Sequence, residues 1–187
     1  MLPLMVDLRG RRVVVLGAGK IGARKAAQVA AEGAQVVVIS PEVLAELPDG
    51  VELVQRAYRR GDLEGAVLVI SATGDGAVND EVLVEANERG IFANIADDRS
   101  RANAFLTAVH RDGELVVSVS SQGTSPALAQ WVRDQAARCM PSGLGEVAAV
   151  LEAERLAIQE AGGSTEDYDW RERVTELVTE LGSTPRA

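Results

Sequence analysis

Three groups of residues in this chain have types and spacing that could do chemistry. The first is Gly17, Gly19 and Gly22 in RVVVLGAGKIGARK, a G-x-G-x-x-G run after an apolar stretch. Gly17 allows a tight turn, Gly19 lets the backbone approach a pyrophosphate, and Gly22 lets a helix pack close to a sheet. The helix start adds N–H groups and positive dipole for phosphates. Ala18, Lys20 and Ile21 complete the loop, so residues 17–22 are the expected cofactor contacts. The second group is Asp97 and Asp98. From the residues alone, this pair is either a carboxylate facing the cofactor, able to take a proton as hydride leaves a substrate, or a solvated turn, DDRSR. The third is Ser120, Ser121, Gly123, Thr124 and Ser125, just before Pro126. Hydroxyls and backbone donors gathered at a helix start favour carboxylates. They also serve as an ordinary helix cap.

These groups need a frame. Val13–Leu16 is a continuous apolar run and reads as a buried parallel strand. Gly22–Glu32 is Ala-rich and reads as a helix that stops at Gly33. Gln35–Ser40 is a second strand closed by Pro41, and Val51–Gln55 a short third. Ala66–Ala72 is a fourth strand, Ala77–Arg89 a helix ended by Gly90, and Ile91–Ile95 a fifth strand. Strand and helix alternate through residues 12–96, which predicts an α/β, Rossmann-like, doubly wound parallel sheet. A ligand then lies at the carboxyl ends of the strands. Those ends are Gly17–Gly19, Ser40, Ala72–Asp75 and Ala96–Asp98.

After residue 100 the pattern changes. Phe105–His110 and Glu114–Ser120 flank Arg111-Asp112-Gly113, which reads as an antiparallel hairpin. Ser125 caps a helix with Pro126 at its first position. Leu128, Trp131, Val132, Gln135, Ala136 and Cys139 give that helix a mostly apolar face. Trp131 is expected in a core or a dimer interface. Met140–Gly143 breaks the chain, and Leu144–Ala161 and Ser164–Leu181 read as two amphipathic helices. The expected division is 1–104 for the dinucleotide-binding domain, 105–141 for a hairpin-and-helix dimerisation segment and 142–187 for a small helical domain.

Bulk composition narrows the function. The chain has 187 residues, 47% hydrophobic and 25% charged, with a formal net charge of −9. A general nucleic-acid or anionic-membrane binder is excluded on charge. An acidic ligand must be met by a local basic patch or by backbone donors. Cys139 and His110 are each the only residue of their type, so no cysteine or histidine cluster is available for a metal. MLPLMVDLRGRR puts its apolar residues before its charges and is not a signal peptide. With no membrane-length apolar run, a cytoplasmic protein is expected. The second strand ends at Ser40, followed by Pro41 and Glu42, where dinucleotide folds place an acid on the adenosine ribose. With no arginine there either, NAD is expected over NADP.

The opening, LPLMVDLRGRRVVVLGAGKIGARKA, resembles that of the siroheme synthase precorrin-2 dehydrogenase domain family. VVVISPE, SATGDGAVND, NIADD and SVSSQGTSPALA match further family segments in order, covering about residues 2–140. The resemblance implies NAD-dependent oxidation of precorrin-2 to sirohydrochlorin, with insertion of ferrous iron to give siroheme in some members, and a homodimer. It implies that the methyltransferase half of the longer siroheme synthases is not present in this stretch.

Residue by residue, the family's acid/base aspartate falls on Asp97, in Asn94-Ile95-Ala96-Asp97, and Asn94 goes with the substrate side. Thr73, Asp75 and Asn79 match a loop over the cofactor. Ser120, Ser121, Gly123, Thr124 and Ser125 match a segment that meets the many carboxylates of the tetrapyrrole. Ser121 aligns with a serine phosphorylated in some relatives. Arg24 and Lys25 either touch phosphate or substrate or are solvated. His110 is read as a surface or interface residue. The chain departs from the family pattern at Arg99-Ser100-Arg101, where a proline is usual, and at Gln122, where a glycine is usual. A competing reading is a dinucleotide-sensing regulatory domain without catalysis. It accounts for Gly17–Gly22 but for neither Asp97 nor Ser121–Pro126.

Overall fold

The computed structural model describes residues 1–96, 98–166 and 168–183. It divides into two compact units, Met1–Leu106 and Thr107–Ala187.

The first unit is built on strands apolar on both faces. In β1 (Arg12–Ala18), Val13 and Val15 join one buried cluster while Val14 and Leu16 join the other. The same alternation runs through β2 (Gln35–Val43) and β4 (Ala66–Ser71). With β3 (Glu52–Val54) and β5 (Phe92–Ile95) they form a parallel five-stranded sheet in the order β3-β2-β1-β4-β5. Helix α1 (Lys20–Ala30) covers one face through Ala26 and Val29. Helix α2 (Gly76–Arg89) covers the other through Val82 and Ala86. Two covered faces are why these strands read as continuous Val/Ile/Leu runs. The expected Rossmann-like architecture is therefore present.

Boundaries differ from expectation in two places. Helix α1 begins at Lys20, not Gly22, because Gly19 is already its N-cap. Strand β2 does not close at Pro41. A bulge between Leu16 and Ala18 resets the register, so Ala18 pairs with Val43. Pro41 is tolerated because β3 pairs only with Val37–Ile39, leaving no ladder bond there for it to break.

Glu85 of α2 is buried and its carboxylate is fully used. It accepts from the Tyr58 hydroxyl at 2.5 Å, the Gly61 N–H at 2.9 Å and the Arg89 guanidinium at 2.8 Å. Burial pushes this carboxyl up, but those bonds outweigh it and hold the group below its ordinary range.

The second unit holds the hairpin β6 (Ala108–Asp112) and β7 (Leu115–Val119), then α3 (Pro126–Cys139), α4 (Leu144–Glu160) and α5 (Trp170–Ser183). The hairpin starts three residues later than expected. Asn103 and Ala104 instead give their N–H groups to the Ala93 carbonyl beside β5. Asp112 closes the hairpin and also caps α4, accepting from Gly143 and Leu144 N–H at 3.0 and 2.9 Å. Helix α5 begins at Trp170 rather than Ser164 because Asp169 caps it, accepting from Arg171 and Glu172 N–H. On α3 the buried residue is Ala129, while Leu128, Trp131 and Val132 are exposed within the single chain. No helix among the described residues is long and apolar enough to cross a membrane.

Candidate functional site

The turn from β1 into α1 fits a dinucleotide pyrophosphate. Gly17 has φ +94°, and a Cβ there would sit 2.6 Å from the Ala72 carbonyl oxygen. Only glycine takes that conformation without strain. A Cβ on Gly22 would run into the Gly17 carbonyl, so the helix can approach the loop only without one. Gly19 is different. Its backbone is ordinary, φ −84° and ψ −179°, and a Cβ would meet no protein atom within 4 Å. Protein packing does not require that glycine, and the room beside it suits an approaching ligand. No side chain caps α1 and its first turn has no acid. Its leading N–H groups are therefore left uncapped by any N-cap side chain and present the positive end of the helix dipole.

In the last part of β2, the Ser40 hydroxyl is buried and donates to the Glu42 carbonyl at 2.6 Å. Leu44 and Ala45 give their N–H groups to the Ala18 carbonyl, at 3.0 and 3.1 Å. Pro41 and Glu42 are thereby held on an exposed strip next to the glycine loop. Beyond β4, Thr73 accepts from Asp75 N–H at 3.0 Å, and Asp75 caps α2 by accepting from Ala77 and Val78 at 2.9 and 3.3 Å. Asn79 is buried and accepts from the Ser71 hydroxyl at 2.5 Å. Asp75 and Asn79 thus hold the start of α2, while Thr73 shapes the loop.

The end of β5 carries a cluster that sequence reasoning did not assemble. Lys25 Nζ donates to Asn94 Oδ1 at 2.9 Å, and Asn94 Nδ2 donates to the Ala104 carbonyl at 2.9 Å. Burial first, and the like charge of Arg24 second, hold the Lys25 ammonium below its ordinary value. Asp97, the expected acid/base group, lies outside the described residues. Its neighbour Asp98 is committed to the turn. It accepts from Ser100 N–H and Oγ at 2.9 and 2.6 Å and pairs with Arg101 at 3.2 Å. The Ser100 hydroxyl leads in holding that carboxyl below its usual range, against a smaller effect of burial. Arg101 also pairs with Asp80 at 2.9 Å and donates to the Gly76 carbonyl at 3.2 Å, pinning the turn to the start of α2. The Arg99-Ser100-Arg101 departure thus supplies a clamp where relatives usually carry proline. The signal for it was four charges in DDRSR, but its partners Gly76 and Asp80 lie well upstream and no local pattern announces them.

In the second unit, the hydroxyls before α3 share one arrangement. Ser120 Oγ accepts from Gln122 N–H and Ser121 Oγ from Ser125 N–H, each at 3.0 Å. Ser125 Oγ caps Leu128 N–H at 3.2 Å. Each hydroxyl spends an acceptor lone pair on the backbone and keeps its O–H as a donor. Gln122 sits at φ 52°, followed by Gly123 at 77°, so the usual glycine has been replaced in a left-handed turn. Thr124 gives its N–H to the Ser121 carbonyl at 3.0 Å.

Known proteins resemble this chain along most of its length. A family profile described as "Putative NAD(P)-binding" matches residues 4–108. The siroheme synthase of Photorhabdus laumondii is 32% identical over 185 residues, covering 96% of this chain and 36% of that protein. The siroheme synthase of Pseudomonas aeruginosa strain LESB58 is 37% identical over 164 residues, covering 85% and 35%. The chain thus spans about a third of the length of these curated relatives. The solved structure of SirC, a precorrin-2 dehydrogenase, superposes with a TM-score of 0.71 at 27% identity, over 97% of this chain and 89% of that one. Matched over more than half its length, this chain belongs to that NAD(P)-binding family.

Proposed function

We propose that this protein is an NAD-dependent precorrin-2 dehydrogenase, oxidising precorrin-2 to sirohydrochlorin by loss of a hydride and a proton. The observation that carries this reading is the start of α1, which has no side-chain cap and open room at Gly19. Likeness to SirC over nearly the whole chain supports the substrate. NAD bound there supplies the hydride acceptor. Gly17, Ala18, Gly19, Lys20, Ile21 and Gly22 hold its pyrophosphate. Ser40, Pro41 and Glu42 serve its adenosine ribose, and Thr73, Asp75 and Asn79 form and hold the wall beyond β4. Asp97, the position that matches the acid/base aspartate of the siroheme synthase family, takes the proton, and the engagement of the Asp98 carboxylate in its own turn supports that choice.

Asn94 belongs to the substrate side. So do Ser120, Ser121, Gly123, Thr124 and Ser125; the O–H groups of Ser120, Ser121 and Ser125 suit the substrate carboxylates. Ferrous iron is a second substrate, inserted into the product to give siroheme. The protein acts in the cytoplasm as a homodimer. In this reading 105–141 is the dimerisation segment and 142–187 a C-terminal helical domain. The exposed Leu128, Trp131 and Val132 of α3 support the pairing.

An anaerobic assay of the purified protein with NAD and precorrin-2 tests the reading. Sirohydrochlorin absorbance is expected, followed by siroheme on adding ferrous iron. Asp97→Ala is expected to lose most turnover while calorimetric NAD affinity holds. Absence of product with the substrate intact overturns the dehydrogenase. Wild-type turnover in Asp97→Ala overturns the assignment of the proton acceptor.

A further inference from the structure

The strip that follows Ser40 shows more apolar surface than its surroundings use. Pro41, Glu42, Val43 and Leu44 are all exposed, Val43 at 41% and Leu44 at 74%. Among the described residues, neither Val43 nor Leu44 belongs to the buried clusters on the two faces of the sheet. Leu47 and Val51, a few residues on, do pack against one of them. A single exposed leucine is ordinary. Three apolar residues out of four, next to a ligand loop, make a patch of the kind that lines binding grooves.

The strip is also held still. Pro41 fixes its own φ, and the Ser40 hydroxyl is tied to the Glu42 carbonyl. Val43 stands opposite Ala18 in the ladder, and the Ala18 carbonyl accepts from Leu44 and Ala45 N–H at 3.0 and 3.1 Å. Gly19 is the next residue along from Ala18, so its Cα lies at most about 7 Å from the Leu44 nitrogen. The apolar strip is thus continuous with the pyrophosphate loop.

Its place on the sheet selects an occupant. From a pyrophosphate at the start of α1, a dinucleotide extends one way over β2 and the other way over β4, the two neighbours of β1. The β4 side ends in the polar Thr73 and Asp75, and beyond it β5 carries Asn94, assigned above to the substrate. The nicotinamide must meet the substrate, so it takes that side. The β2 side ends in Pro41, Val43 and Leu44 with one carboxylate, Glu42. An adenine ring offers flat apolar faces whose burial is favourable, and it is joined to a ribose diol that a carboxylate accepts.

We infer that Leu44, flanked by Val43, is the platform on which the adenine ring of the dinucleotide lies. This rests on the NAD site proposed above and is independent of which substrate is oxidised. It explains why an apolar strip is fixed in place without being packed. It also means that an adenine nucleotide lacking nicotinamide, such as ADP-ribose, occupies the same site.

Leu44→Ser removes the platform from a position whose side chain the fold does not bury. In the full-length protein, calorimetric Kd for NAD is expected to rise about tenfold, the effect of losing one well-covered apolar contact. Kd for ADP-ribose should rise by the same factor, because the contact lies wholly in the adenosine half. Tm without ligand should stay where it is. Leu44→Met should keep the wild-type affinities for both ligands. Unchanged NAD and ADP-ribose affinity in Leu44→Ser, with the wild type binding both, overturns the inference alone. So does a loss for NAD that ADP-ribose does not share, which would move Leu44 to the nicotinamide, or a clear fall in Tm, which would make it a structural contact. Wild-type protein that binds neither ligand removes the inference together with the NAD site it rests on.

Discussion

Two helices start at the same edge of the first unit's sheet, and they treat their exposed N–H groups in opposite ways. Helix α2 satisfies its own, with Asp75 taking Ala77 and Val78 and with Arg101 tying the Gly76 carbonyl to the turn after β5. Helix α1 has neither a capping side chain nor an acid in its first turn. Both obey the same electrostatics, in which a helix start attracts negative charge. At α2 the negative charge is part of the chain. At α1 it has to be brought in, which is the arrangement a cofactor site needs. A helix start becomes a binding site when the protein declines to cap it.

That contrast can be broken deliberately. Gly19→Asp would make α1 resemble α2. The backbone at Gly19 accepts any residue and a Cβ there meets nothing, so the fold should keep or slightly raise its Tm. NAD affinity should fall by about a hundredfold or more, since a fixed carboxylate beside a pyrophosphate costs several kcal/mol. Calorimetry and thermal unfolding on one sample read both signs, and unaltered NAD affinity would move the cofactor away from α1. The reverse change, Asp75→Ala, uncaps α2 and should cost about 1 kcal/mol in denaturant unfolding. NAD affinity should change little beside the effect of Gly19→Asp. A large loss of NAD binding would mean that α2 holds the cofactor as well. The smallest effect is expected in the turn that leads to α3, whose start Ser125 caps. Gln122 occupies a left-handed turn before α3. Gln122→Gly should stabilise the second unit by about 0.5 kcal/mol, the relief of the turn less the greater freedom of an unfolded glycine. Destabilisation would show that the Gln122 side chain makes a contact worth more than the turn costs.

Much of the first unit was legible in the chain because its code is local. Val13–Leu16 and Ala66–Ala72 announce doubly buried strands, and glycine spacing at 17, 19 and 22 announces the turn. Gly90 stops α2 as read, at φ 69°. What escaped was set by partners far along the chain. Pro41 looks like a strand end until the bulge opposite it is known. Phe105 looks like the start of a hairpin strand until Asn103 and Ala104 are seen bonded to Ala93. The tie from Lys25 to Asn94 spans 69 residues, and nothing near either residue betrays it. The serines before α3 were legible as a cluster, but not the direction of their bonds, which decides whether they can donate to an anion.

Gly17 has a second consequence, for how β1 finds its place. A strand buried on one face resists slipping, because a one-residue shift turns its apolar side chains to water. Strand β1 lacks that safeguard. Its run Val13-Val14-Val15-Leu16 would offer valine to either core after a slip. The stop is steric: shifted by one, the strand would bring Leu16 or Ala18 to the spot where φ is +94° and a Cβ meets the Ala72 carbonyl. The glycine that opens the loop to a cofactor is thus also the index mark that lets the central strand of the sheet be threaded in only one alignment.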